Sequence, residues 1–229
     1  MGTSSDQQKG NNIFQSRKRY NILKNSETKV IQYLCSIMPS WITSDILTII
    51  GFAGSVTVAL GMFMAKSDKL WLLLSILGFA IQWFGDSLDG RLAYYRNTPR
   101  KWYGWAIDIS VDWISIIIIG FGVYDYFYQQ EFVALIFVCM YGWSMINALL
   151  RYKITDQYVI DSNAMGPTEL RIIICIFILG EYLESGTLWY FALLGSILLV
   201  IFNIKDLLDI IKAGHTRDEE EKAAKALQK

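Results

Sequence analysis

The chain has 229 residues, 53% of them hydrophobic, and its 21 Lys and Arg balance 21 Asp and Glu to a formal net charge of zero. That length and a positive mean hydropathy suit one membrane domain with little left for a second. The lone histidine, His215 in the polar tail, argues against a His-based zinc or acid/base site.

Residues 1–10 are polar, and Ile13 to Met38 mix basic and apolar side chains as a helix lying on a membrane does. From there, apolar runs predict spanning helices near 42–64, 70–90, 105–127, 132–150, 170–185 and 187–205. The fifth is crowded at its end by Gly180, Glu181 and Glu184, which demands a tight turn into the sixth. The expected fold is an all-α integral membrane protein of six transmembrane helices with an N-terminal juxtamembrane amphipathic helix. Its parts are a cytoplasmic segment over 1–38, a membrane domain over 39–205 and a charged cytoplasmic tail over 206–229, which reads as helical with no catalytic role. Cys35, Cys139 and Cys175 lie far apart in apolar surroundings and read as small packing residues.

Neutral net charge hides an asymmetry. Lys9, Arg17, Lys18, Arg19, Lys24 and Lys29 precede the first span, Arg91, Arg96, Arg100 and Lys101 join the second to the third, and Arg151, Lys153 and Arg171 flank the fourth connection. The other side is poor in basic residues, with Lys66 and Lys69 the exceptions. Flanking Lys and Arg stay in the cytoplasm, which places both termini there. Topology therefore accounts for the basic residues without nucleic acid, and the basic face suits phosphate-bearing substrates and anionic lipid heads.

At that cytoplasmic end the chain reads Asp86-x2-Asp89-Gly90-x2-Ala93, then Gly104-x3-Asp108-x3-Asp112. Spacings of three and four put each acid pair on one helical face. Carboxylates crowded at the edge of a hydrocarbon layer repel one another and cost several kcal/mol in desolvation unless cations neutralise them. An all-oxygen donor set favours Mg²⁺ or Mn²⁺.

This run resembles the signature of the CDP-alcohol phosphotransferases, D-x2-D-G-x2-A-R-x8-G-x3-D-x3-D, with Asp86, Asp89, Gly90, Ala93, Gly104, Asp108 and Asp112 on motif positions. Tyr94 stands where the family has arginine, and the interval from Ala93 to Gly104 is one residue longer than usual. Arg96 is the candidate for the missing diphosphate contact, with Arg91 and Arg100 nearby. A second stretch, from Thr43 through Asp45 and Thr48 to Gly51, is similar to the family's first-helix pattern, with Ser44 and Asp45 replacing proline and asparagine. The resemblance places this turn near the cytidine; helix capping by Thr43 or Ser44 is an equally good reading.

The resemblance implies a phospholipid-synthesising transferase that moves a substituted phosphate from a CDP-linked donor, CDP-diacylglycerol first, to an alcohol, releasing CMP. Two Mg²⁺ or Mn²⁺ ions would sit on Asp86, Asp89, Asp108 and Asp112, with Asp112 as base. Thr43, Asp45, Gly90, Ala93, Arg96 and Gly104 would serve the nucleotide, and Arg151, Lys153, Glu169 and Arg171 the acceptor. Gly166-Pro167-Thr168-Glu169 is similar to a run in choline and ethanolamine phosphotransferases, which makes CDP-ethanolamine or CDP-choline the alternative donor. A Gly-Pro turn with an acid at a helix N-terminus is the plainer account of those residues. The resemblance also implies a homodimer, and the compact chain favours a bacterial inner membrane over the endoplasmic reticulum. A divalent-cation transporter or a non-catalytic membrane scaffold is the alternative of another class.

Overall fold

The computed structural model describes residues 24–155 and 167–227. The polar start, Lys9, Arg17, Lys18 and Arg19, the first part of the expected amphipathic helix, and Gly166 lie outside them. The described residues form α1 (Lys24–Ile37), α2 (Ser44–Met64), a 3-10 turn (Lys69–Trp71) that leads into α3 (Leu72–Tyr95), α4 (Lys101–Tyr126), α5 (Phe132–Thr155), α6 (Pro167–Leu183) and α7 (Thr187–Leu227), with no strand among them. Five helices, α2, α3 with its leading turn, α4, α5 and α7, are long and apolar enough to cross a membrane, whereas α6 has 17 residues.

Several boundaries differ from expectation: α3 and α5 each run five residues past their expected ends, to Tyr95 and Thr155. Helix α4 starts at Lys101, four residues early, while the helical tail expected after Lys205 is continuous with the last span, so that α7 runs unbroken to Leu227. No proline interrupts α7 after Lys205, and Arg217 and Glu221 form an i,i+4 pair at 3.4 Å along it. At about 1.5 Å per residue its 41 residues reach about 60 Å, twice the hydrocarbon thickness.

The described chain divides into two compact units. In the larger, Leu23–Cys139 with Pro167–Ile197, α2 and α3 lie with their backbones in contact. A Cβ on Gly85 would come within 2.3 Å of Gly51 N, and one on Gly54 within 2.4 Å of Gln82 N. Helix α4 approaches α2 the same way, since a Cβ on Gly122 would lie 2.7 Å from Ala59 Cα. Lipid tails are as apolar as leucine, so such close approach, rather than burial from water, holds helices together in a bilayer.

The first helix packs Ile31 and Cys35 against Leu47, Leu88 and Leu92. Burial pushes the Cys35 thiol up from its ordinary value, in keeping with a packing role. Val30, Tyr33 and Ile37 stay exposed on α1, as does Trp41 just beyond it. The other core of this unit, around Val58, Met62, Phe79, Ile178 and Leu188, forms where α2 ends and α3 begins.

The turns have clear causes. Helix α3 ends in a Schellman motif: Asn97, at φ 55°, donates its N–H to Tyr94 O at 3.0 Å, and Thr98 donates to Ala93 O at 2.8 Å. The tight connection from α6 to α7 turns at Gly186, whose φ of 96° suits glycine. Glu181, 4% exposed, accepts from the Gly186 and Leu188 N–H groups at 2.9 Å and from the Tyr126 hydroxyl at 2.9 Å.

In the smaller unit, which includes Met140–Gly166 and Leu198–Lys229, polar side chains tie α5 to α7. Ser144 donates to Asn203 Oδ1 at 2.8 Å, Asn203 Nδ2 to Met140 O at 2.8 Å, and Asn147 Nδ2 to Asn203 O at 3.1 Å. Farther along, Arg151 pairs with Asp206, and Arg217 donates to Lys153 O and Ile154 O at the end of α5.

Candidate active site

Antiparallel packing brings the start of α2, the last turns of α3, the first turns of α4 and the start of α6 to one end of the larger unit. Asp86 and Asp89 project from α3, and Asp108 and Asp112 from α4. Carboxylate oxygens of Asp86, Asp108 and Asp112 all lie within 4.8 Å of one another. Asp89 lines the same pocket, together with Thr48, Gly51, Phe52, Gln82, Val111 and Ser115. Asp89 Oδ2 accepts a hydrogen bond from Thr48 at 2.7 Å, and Oδ1 one from the Gly90 N–H at 2.5 Å. All four acids of the motif therefore face one small cavity.

Two features temper the repulsion. Arg171, on the first turns of α6, donates to Asp86 Oδ2, and the side chains are only 16% and 24% exposed. The lining is also polar well below the acids: Gln82 Nε2 donates to Ser55 at 2.9 Å, and Ser115 is buried. Gln82 and Ser115 were not among the expected site residues, and Thr48 stood only in the stretch similar to the family's first-helix pattern. Spacing carried a signal, since Gln82 precedes Asp86 by one helical turn and Ser115 follows Asp112 by three residues.

A second cavity, of about 350 Å³, is lined by Thr43, Ser44, Asp45, Leu92, Ala93, Arg96, Thr98 and Arg100. It thus gathers four of the residues expected at the nucleotide: Thr43, Asp45, Ala93 and Arg96. Thr43 is also the N-cap of α2, accepting from Ile46 N at 3.3 Å, so both readings of that turn hold geometrically. Asp45 pairs with Arg100 at 2.5 Å, and Arg100 lies 4.3 Å from the Tyr103 ring centroid. The Asp45 carboxylate raises the Arg100 guanidinium above its ordinary value.

Arg96, the candidate for the diphosphate contact, lines this cavity and is held by backbone carbonyls. Its guanidinium donates to the carbonyls of Met38 at 3.1 Å, Pro39 at 2.7 Å and Ile42, with Ser40 at 3.5 Å, and so clasps the link from α1 to α2. Gly90 and Gly104 each have open space where a Cβ would stand. Of the acceptor candidates, Arg171 joins the acidic cluster and Glu169 is buried at the first turn of α6, while Arg151 and Lys153 belong to the smaller unit.

Comparison with known proteins identifies the family. The family described as CDP-alcohol phosphatidyltransferase matches residues 41–204. Among solved structures, the phosphatidylinositol phosphate synthase PgsA1 of Mycobacterium tuberculosis, crystallised with CDP-DAG bound, matches with a TM-score of 0.53 at 21% identity, over 83% of this chain and 92% of that one. That likeness is one of fold. No curated protein matches the chain. With the family match reaching from the link before α2 into α7 and enclosing every aspartate of the cluster, the chain belongs to the CDP-alcohol phosphatidyltransferases, multi-pass membrane transferases of substituted phosphate groups.

Proposed function

We propose that the protein transfers a phosphatidyl group from CDP-diacylglycerol to a water-soluble alcohol and releases CMP. The observation that carries this is the carboxylate cluster: Asp86, Asp108 and Asp112 oxygens within 4.8 Å of one another, with Asp89 in the same pocket. The donor assignment draws on the solved relative, whose structure holds CDP-DAG.

A purely carboxylate donor set around a small cavity fits hard divalent ions, and Asp86, Asp89, Asp108 and Asp112 would hold two Mg²⁺ or Mn²⁺ ions. When bound, such ions offset the charge of the diphosphate and of the departing CMP. The chain's own residues do the rest. Asp112 accepts the proton of the acceptor hydroxyl, whose oxygen bonds to the phosphorus bearing the diacylglycerol as the bond from that phosphorus to CMP breaks. The second cavity takes the nucleotide, with Thr43, Asp45 and Ala93 on its wall, and Gly90 and Gly104 admit the ligand close to the backbone. Arg96 serves from its seat on the link before α2. Arg171 and Glu169, at the start of α6, are the groups assigned to the acceptor.

We further propose six spans, both termini in the cytoplasm, α1 lying on the membrane surface, a homodimer and a bacterial inner membrane. At about 1.5 Å per residue, the 17 residues of α6 reach about 25 Å, within the range that bilayer thinning accommodates. The two lysines that break the charge rule have local partners: Lys66 pairs with Asp125 at 3.0 Å, and Lys69 donates to Glu181 O at 3.3 Å.

The test is CMP release by detergent-purified protein, given Mg²⁺ or Mn²⁺ and either CDP-diacylglycerol or CDP-ethanolamine against a panel of alcohols. Release that needs CDP-diacylglycerol, metal and one soluble alcohol is expected, and Asp112→Asn should abolish it in a folded protein. Release from CDP-ethanolamine alone would overturn the donor, and near-normal turnover of Asp112→Asn the base.

A further inference from the structure

Asp89 differs from the other acids of the pocket in how it is held. Its oxygens are not among the three that cluster within 4.8 Å, yet it lines the same cavity. Both of its oxygens have protein donors, Thr48 on one and the Gly90 N–H on the other. Its backbone is held too, because Ser44 Oγ donates to Asp89 O at 2.7 Å. Ser44 and Thr48 are one turn apart on α2 and present their hydroxyls on one face, so two groups of one helix grip a single residue of another.

The grip lies at the junction of the two cavities. Thr48 and Asp89 line the acidic pocket, while Ser44 lines the larger one beside Leu92 and Ala93 from the next turn of α3. Thr48 Oγ1 also lies 3.1 Å from Ser44 O, but the hydroxyl has one proton, and the carboxylate at 2.7 Å is the closer and charged acceptor. A helix begins with unpaired N–H groups and a proline is accepted at its first position, so nothing in the backbone of α2 requires a hydroxyl at Ser44. Its bond to Asp89 O is what a proline there would lack.

We propose that Ser44 and Thr48 are positioning residues for Asp89, fixing the height of its backbone and the rotation of its carboxylate so that it presents a set lone-pair direction to the cation in the acidic pocket. The inference rests on the metal site proposed above. Groups behind a metal ligand hold its orientation, and their loss weakens binding through that ligand.

The probe is Mn²⁺ alone, titrated into the full-length protein in detergent with free Mn²⁺ read by electron paramagnetic resonance and folding followed by thermal unfolding. Thr48→Val keeps shape and removes the donor, and it should weaken Mn²⁺ binding about 10- to 100-fold. Thr48→Ser should restore most of that loss, and Ser44→Ala should weaken binding less than Thr48→Val does. In an Asp89→Asn background, Thr48→Val should have no further effect, because its route to the metal is gone. Should Thr48→Val fail to fold, Thr48→Ala carries the same comparison.

Wild-type affinity in the folded Thr48 variant, or an equal loss with and without Asp89, overturns the positioning role. If the wild type binds no Mn²⁺, or Asp86→Asn and Asp108→Asn bind it as the wild type does, the metal site itself falls and the positioning role with it. The aspartate variants thus separate the two failures.

Discussion

Arg171 and Asp86 form an ion pair that joins the start of α6 to α3 inside the acidic pocket. The guanidinium is the positive charge nearest to hand when no other cation is bound, and the pair is mostly shielded from water. Arg171→Met should therefore destabilise the cation-free protein by about 3 kcal/mol, since removing one partner leaves a carboxylate uncompensated. Mg²⁺ should return more stability to the variant than it adds to the wild type, because the ion replaces the lost charge. Thermal unfolding with and without Mg²⁺ checks both, and equal Mg²⁺ shifts would count against the account.

Glycines separate packing from ligand approach. Gly85→Ala would drive a Cβ against Gly51 N at 2.3 Å and Leu47 O at 2.4 Å, with no flexible side chain to yield. A loss of about 1–3 kcal/mol is expected. Gly90→Ala meets nothing within 4 Å and should leave stability equal or slightly higher. If the nucleotide approaches the backbone there, the same variant raises the KM for donor; unchanged donor KM in Gly90→Ala would remove Gly90 from the site.

Glu181 gives a stability contrast at the other end of α6. Its carboxylate receives Tyr126, Gly186 and Leu188, so Glu181→Ala strands buried donors at the turn into α7. A loss of about 3 kcal/mol is expected, with donor and metal affinities unchanged in the protein that remains folded. Paired unfolding and Mn²⁺ titrations test this.

Arg96 clasps carbonyls that lysine has too few correctly directed donors to satisfy. Arg96→Lys should loosen the link between α1 and α2 and speed its cleavage by added protease. Because the same link borders the cavity lined by Thr43 and Asp45, weaker donor binding should accompany it. Cleavage at the wild-type rate would show that the clasp is dispensable.

Sequence alone determined that this chain is helical and membrane-embedded and that its aspartates share one end of it. The reasons are local: apolar runs long enough for a bilayer, acids three and four residues apart on one helical face, and a cost of stranding carboxylates that only a shared site relieves. The helical tail was legible too, since no proline breaks the charged stretch, but that it continues the last span without interruption to Leu227 was not, because charge marks exposure to water and says nothing of where one helix stops. The partners of the charged groups needed the tertiary structure. Arg171 and Asp86 are 85 residues apart in the chain, and Thr48 and Asp89 are 41 apart. Arg96 was legible as a candidate for the diphosphate contact, but that its donors point to the link before α2 was not. No periodicity encodes such pairs. They are decided by how closely glycines let α2 and α3 approach and by which helix ends the packing then brings together, and that is a property of the folded chain alone.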